Sequence, residues 1–143
     1  MVNMNEDNLT NASIFENKGL LNFNFPHTGK LKLCKYVLVI RADTTNFTRL
    51  MIYPINVKKV LKLFFVITKD KVRKLRELPS DFDNFHVIHN SGLILRQDKY
   101  FGEIYFNLRF SDSKYKDLKT YLNRNKSIFD KINLNEISTI NEQ

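Results

Sequence analysis

Few side chains in this sequence could do covalent or proton-transfer chemistry, and their spacing argues against each. His86 and His89 are three residues apart, and on a strand that separation sends them to opposite faces. Cys34 is the single cysteine, so a nucleophilic pair would have to draw on one of three histidines, and a buried inert thiol is the commoner fate of a lone Cys. A metal site would need further Cys, His or carboxylate ligands close by. Asp81 and Asp83 could share a face, yet with Pro79 and Ser80 they are the residues an ordinary turn uses. Only four glycines occur and none is grouped, which excludes a glycine-rich phosphate cradle. No catalytic residue, metal or cofactor is expected, and the chain reads as a non-enzyme.

Polar corners carry more information. Thr44-Thr45-Asn46-Phe47-Thr48-Arg49, His89-Asn90-Ser91 and Ser111-Asp112-Ser113-Lys114 each place short hydrogen-bonding side chains between apolar runs. Asn matches the major-groove edge of adenine, Arg and Lys match guanine, and Ser or Thr reaches bases or phosphates. The same residue types also simply make turns.

The elements that must position these corners are mostly strands. Leu21, Phe23 and Phe25 alternate with Asn, Pro26 to Gly29 supply a turn, and Leu31 and Leu33 alternate with lysines, a hairpin pattern. Tyr36–Ile40 and Phe47–Tyr53 are short apolar runs, the second closed by Pro54. Val57–Ile67 reads as a longer strand, although a helix also fits its spacing. A helix is expected from Thr68, with Val72, Leu75 and Leu78 on one face, stopped by Pro79. Lys69, Lys71, Arg73, Lys74 and Arg76 crowd its other face. Ile104, Phe106, Leu108 and Phe110 alternate with Glu103, Tyr105, Asn107 and Arg109, a half-buried strand. Residues 113–131 look helical. Residues 1–20 read as a flexible leader, and residues 123–143 as a helical extension with a loose tail. The expected fold is mainly β, with one short mid-chain helix and a C-terminal helix.

The 143 residues carry 23 Lys plus Arg against 15 Asp plus Glu, a formal charge of +8. Thirteen of the bases and only three of the acids lie in residues 30–80, so the positive excess belongs to the middle of the chain. Such a surplus faces nucleic acid or anionic lipid, or merely solvates the surface. No apolar stretch approaches the roughly 18 residues of a transmembrane helix, and no secretory signal opens the chain. With one Cys there is no disulfide framework, and a cytoplasmic location is expected, with no membrane partner.

The segment from Leu78 to Ile94, which contains Phe85-His86-Val87-Ile88-His89-Asn90-Ser91, resembles the LytTR family, a DNA-binding output domain of response regulators. Pro26 to Leu31 is similar to that family's opening hairpin and Tyr36 to Asp43 to its first apolar strand. Asn46 to Leu50 falls at its first contact loop, and Phe106 to Leu118 at its closing strand, turn and helix. The resemblance spans residues 21–122 and implies small antiparallel sheets whose loops reach successive DNA grooves. It implies that Asn90 reads a base, that Thr48 lies in the first DNA-contacting loop with Asn46 and Arg49 beside it, and that His89 and Ser91 are structural or face phosphate. The family's usual Ser-Arg pair is Ser111-Asp112 here, which leaves Lys114 as the substitute contact. Lys69, Lys71, Arg73 and Lys74 would anchor phosphates. The expectation is a sequence-specific transcription regulator without a receiver domain of its own, acting on double-stranded DNA as a homodimer. The alternative is a degenerate module of the same shape that binds or antagonises a protein partner.

Overall fold

The computed structural model describes residues 8–17, 33–77 and 82–140. Two compact units form: Thr10–Lys59 with Ile137–Gln143, and Met1–Leu9 with Val60–Glu136. The hairpin expected over residues 20–33 falls almost wholly outside the described residues.

The first unit is an antiparallel three-stranded sheet, β1 (Asn11–Glu16), β2 (Tyr36–Asp43) and β3 (Thr48–Ile55), in that spatial order. β2 is central, so neighbouring residues Val37 and Leu38 point to opposite faces and are both buried, together with Ile14, Ile40 and Ile55. Pro54 sits inside β3, paired with Val37, rather than ending the strand as expected. The edge position explains the tolerance, because a residue without an N–H costs little where no further strand follows. Thr139 adds an isolated parallel bridge to Ile14, and its N–H donates to the Lys58 carbonyl at 3.1 Å.

The second unit begins with β4 (Lys59–Thr68), followed by 3-10 helical turns over Lys69–Glu77 and again over Asp83–Phe85. Then come β5 (Val87–Asn90), β6 (Ile94–Arg96), β7 (Lys99–Phe106), helix α1 (Ser113–Arg124), a 3-10 turn over Lys126–Ile128, and β8 (Lys131–Ser138). The strand order is β5-β7-β4-β8, with β6 also on β7. β5 pairs with Phe106 to Ile104 and β6 with Phe101 to Lys99, so the two short strands share one edge of β7, kinked between them at Gly92. Strand, helix, strand pair, helix, strand in this order is the ferredoxin-like split βαβ connectivity.

One core holds this unit together. Leu61, Leu63, Phe65 and Ile67 occupy alternate positions of β4 and join Ile104 and Phe106 of β7. Leu118 and Leu122, four apart on α1, close over them with Phe82, Phe85, Ile128 and Phe129. The opposite face of β4 is buried as well: Val60, Phe64 and Val66 are enclosed, and Lys62 is 5% exposed. A strand enclosed on both sides reads as a near-continuous apolar run, which decides residues 59–68 as strand rather than helix.

Several expectations are corrected. Residues 11–16 of the supposed leader form β1, whose Ile14 is fully buried. Residues 131–138 of the supposed loose tail form β8, with Ile132 and Leu134 packed on the core. The helix expected over 113–131 ends at Arg124, where Asn125 turns back so that its N–H and Nδ2 both donate to the Tyr121 carbonyl. The mid-chain helix is 3-10 rather than α over its described length. The strand expected through Phe110 stops at Phe106 and is not half-buried, since Glu103 and Tyr105 on its polar side are 0% exposed.

Candidate nucleic-acid interface

Asn46 lies in the β2–β3 turn of the three-stranded unit and Thr48 and Arg49 open β3, and all three are exposed. The turn is held from within. The Thr44 N–H and hydroxyl both donate to the Phe47 carbonyl at 2.9 Å, and the Phe47 N–H returns to Thr44 Oγ1 at 3.1 Å. Asp43 Oδ1 accepts the Thr48 hydroxyl at 2.6 Å and Arg41 Nε at 3.0 Å, and these bonds hold its carboxyl below the ordinary range. The Arg49 guanidinium lies 5.8 Å from the centre of the Phe47 ring. Thr48 is thus occupied, while Asn46 and Arg49 present polar ends to solvent.

The remaining candidates belong to the second unit. Asn90 ends β5 and Ser91 follows it. Asn90 Oδ1 accepts the Gly92 N–H at 2.9 Å, which supports the left-handed turn at Gly92 (φ 73°). Ser91 binds the neighbouring strand: its N–H donates to the Glu103 carbonyl at 3.0 Å, and its Oγ accepts the Glu103 N–H at 2.9 Å. The half-buried His89 ring lies 6.0 Å from that of Tyr105, tilted by 54°. Burial pushes its pKa below the ordinary value, against the opposing pull of Glu103. Recognition of adenine needs an amide oxygen and nitrogen together, and here one lone pair of Asn90 Oδ1 is already spent on Gly92, which fixes how the amide can be presented.

Ser111 is exposed in the turn before α1. Lys114 Nζ donates to the Asn84 carbonyl at 3.1 Å, which ties the start of α1 to the turn that precedes β5. Lys114 and Asn90 therefore sit toward opposite ends of β5. Asp112 occupies the N-cap position but does not cap. Its Oδ1 takes Nε and Nη2 of Arg109 at 3.3 and 3.0 Å, and its Oδ2 takes the Arg109 N–H at 3.0 Å. Desolvation pushes this carboxyl up, and the Arg109 bonds outweigh it and hold it below the ordinary range. An acid neutralised within its own turn repels an incoming phosphate less than a bare one.

Lys69, Arg73 and Lys74 are exposed on the 3-10 segment, whereas Lys71 reaches Asp130 at 3.4 Å. Sequence reasoning passed over the matching bases on α1 and just beyond it: Lys116, Lys119, Arg124 and Lys126, all exposed. Their signal was present in the helical period, since Leu118 and Leu122 mark the inward stripe and leave the lysines on the other side. Val72 of the 3-10 segment and Leu118 of α1 pack on the same core, so both basic segments belong to one helical layer. Among the described residues no group of His, Cys, Asp and Glu could hold a metal ion, and no helix is long and apolar enough to cross a membrane.

Comparison of the chain with protein-family models, with curated proteins and with solved structures found no match.

Proposed function

We propose that this chain is a DNA-binding regulator that grips duplex phosphates through the basic helical layer of its second unit. The supporting observation is that Lys69, Arg73, Lys74, Lys116, Lys119, Arg124 and Lys126 are all exposed on segments of that one layer. Evenly spread bases would solvate a surface. Bases gathered on one layer build a field that suits a polyanion. Within the second unit Asn90, exposed where β5 ends, is the polar side chain available for a base; Asn46 and Arg49 are a separate exposed polar pair on the first unit. The resemblance of residues 21–122 to the LytTR family points to the same ligand.

The test is retention on a randomised duplex pool at two salt concentrations, with the retained DNA sequenced. A motif of spaced half-sites is the expected result. Substituting Arg73, Lys74, Lys116 and Lys119 together by Ala is expected to flatten the salt dependence by about 0.9 in the log–log slope for each phosphate that is no longer neutralised. Binding at an unchanged slope would sink the reading.

A second reading, a module that binds a protein partner, has one observation in its favour. Leu93, Ile94 and Leu95 are consecutive and exposed, and Ile94 and Leu95 lie in β6, a short strand whose described pairing is to β7 alone. Such an edge invites strand addition from another chain. Loss of a stoichiometric partner on Ile94→Lys, with DNA retention unchanged, would select this reading over the first.

A further inference from the structure

Where β4 ends, the β6–β7 hairpin turns and β8 begins, the second unit carries an open cleft of about 720 Å³. That volume is in the range of small-molecule sites. Its apolar wall is Val66 and Phe101, directly opposite each other in the β4–β7 register. Around them stand Arg96, Lys99 and Lys131, three bases from three strands, against one lining acid, Asp130. Asp130 is held by Lys71, which does not line the cleft, at 3.4 Å and, more loosely, by the lining residue Lys99 at 3.8 Å. The Arg96 side chain is exposed, and its strand position is fixed by pairing with Lys99. The cleft therefore joins an aromatic surface to a positive rim, with the one opposing charge already engaged.

We propose that this cleft binds a nucleoside monophosphate. Arg96, with its planar fork, and Lys99 take the phosphate, and the base lies against Phe101 and Val66. Arg suits phosphate because two parallel N–H bonds match two of its oxygens, and a flat base gains from contact with an aromatic side chain. As the phosphate arrives, Lys99 exchanges its long contact with Asp130 for the ligand, and Lys71 keeps the carboxylate neutralised. This site does not depend on the DNA-binding reading, since none of its lining residues belongs to the α1 or 3-10 basic segments.

Calorimetric titration with AMP, adenosine and inorganic phosphate tests it on the full chain. AMP is expected to saturate, and to bind at least about tenfold more tightly than either fragment, because each fragment keeps only one of the two contacts. Arg96→Ala is expected to weaken AMP by about tenfold, and the exposed position keeps the fold intact. Asp130→Asn is expected to tighten it by several fold, since the opposing charge is gone. Lys116→Ala with Lys119→Ala is expected to leave AMP binding unchanged while lowering DNA retention, which separates failure of one site from failure of the other. Absence of saturation, equal affinity for phosphate and AMP, or an Arg96→Ala variant that binds normally would each overturn the proposal.

Discussion

At the scale of single residues, two positions make sharp predictions. Gly102 pairs with Phe65, and a Cβ there would run into the Phe65 ring, which is itself buried at 4% exposure. Gly102→Ala is therefore expected to cost about 1–3 kcal/mol in a urea melt, because neither the ring nor the strand can give way cheaply. His89 predicts a pH effect. Its folded pKa is depressed, so its contribution to stability is complete above the unfolded value of 6.5 and is lost as pH falls through the folded value. His89→Gln should leave stability flatter on acidification below pH 6.5 than it is in the parent, which thermal melts across that range would show. Asp43 and Asp112, held below 3.8, titrate in a lower window and do not confuse the comparison. The roles of Asn90 and Ser91 were only partly legible: a corner rich in hydrogen-bonding groups is visible in sequence, but which group is spent on Gly92 or Glu103 is set by the strand beside it.

At the scale of elements, the inner strands β4 and β7 are joined by a buried ion pair. Lys62 Nζ lies 3.0 Å from Glu103 Oε1, with their side chains 6% and 0% exposed. Asn8 Oδ1 accepts from Lys62 at 2.9 Å, and the Leu9 N–H donates to Glu103 at 2.7 Å, so the charges are also hydrogen-bonded. Removing one charge strands the other: Lys62→Met alone is expected to lose about 3–5 kcal/mol, and Lys62→Met with Glu103→Gln to recover most of it, since an acceptor for Leu9 remains. A double-mutant cycle in urea decides this. The β6–β7 turn offers the opposite sign. Gln97 and Asp98 both adopt positive φ, 49° and 62°, as a two-residue hairpin loop requires, and neither is Gly. Gln97→Asn with Asp98→Gly is expected to stabilise by about 1 kcal/mol. Alternation along Glu103–Phe110 announces a strand correctly, but it marks one face as polar, and a polar face here is not an exposed one. Lys62 sits on the adjoining strand, and only the pairing of strands reveals that two charges cancel.

At the scale of the whole molecule, both units are completed by segments near the ends of the chain. β1 supplies Ile14 to the first, and β8 lies beside β4 in the second, with the Asp130 N–H donating to the Val66 carbonyl at 2.8 Å. A chain cut after Asp130 is expected to lose cooperative unfolding, because Ile132 and Leu134 leave the core and one side of β4 loses its partner. Circular dichroism on heating would reveal it. The same view places the charge: bases that look like a mid-chain run in sequence are joined in the helical layer by Lys116, Lys119 and Arg124 from α1. If phosphates are the ligand, this combined layer, and not residues 69–74 alone, sets the salt slope.

The sequence by itself determined the mainly β character, a strand over residues 57–67 as one of two readings, the inward stripe of α1 and the basic excess. Each of these is carried by local periodicity or by composition, which neighbours cannot change. Tertiary structure alone decided that residues 11–16 and 131–138 are strands, that Glu103 is buried, and that Arg96, Lys99 and Lys131 converge on one cleft. These depend on pairing between residues far apart in the chain, and short polar segments gain their strand form from the partner edge rather than from any pattern of their own.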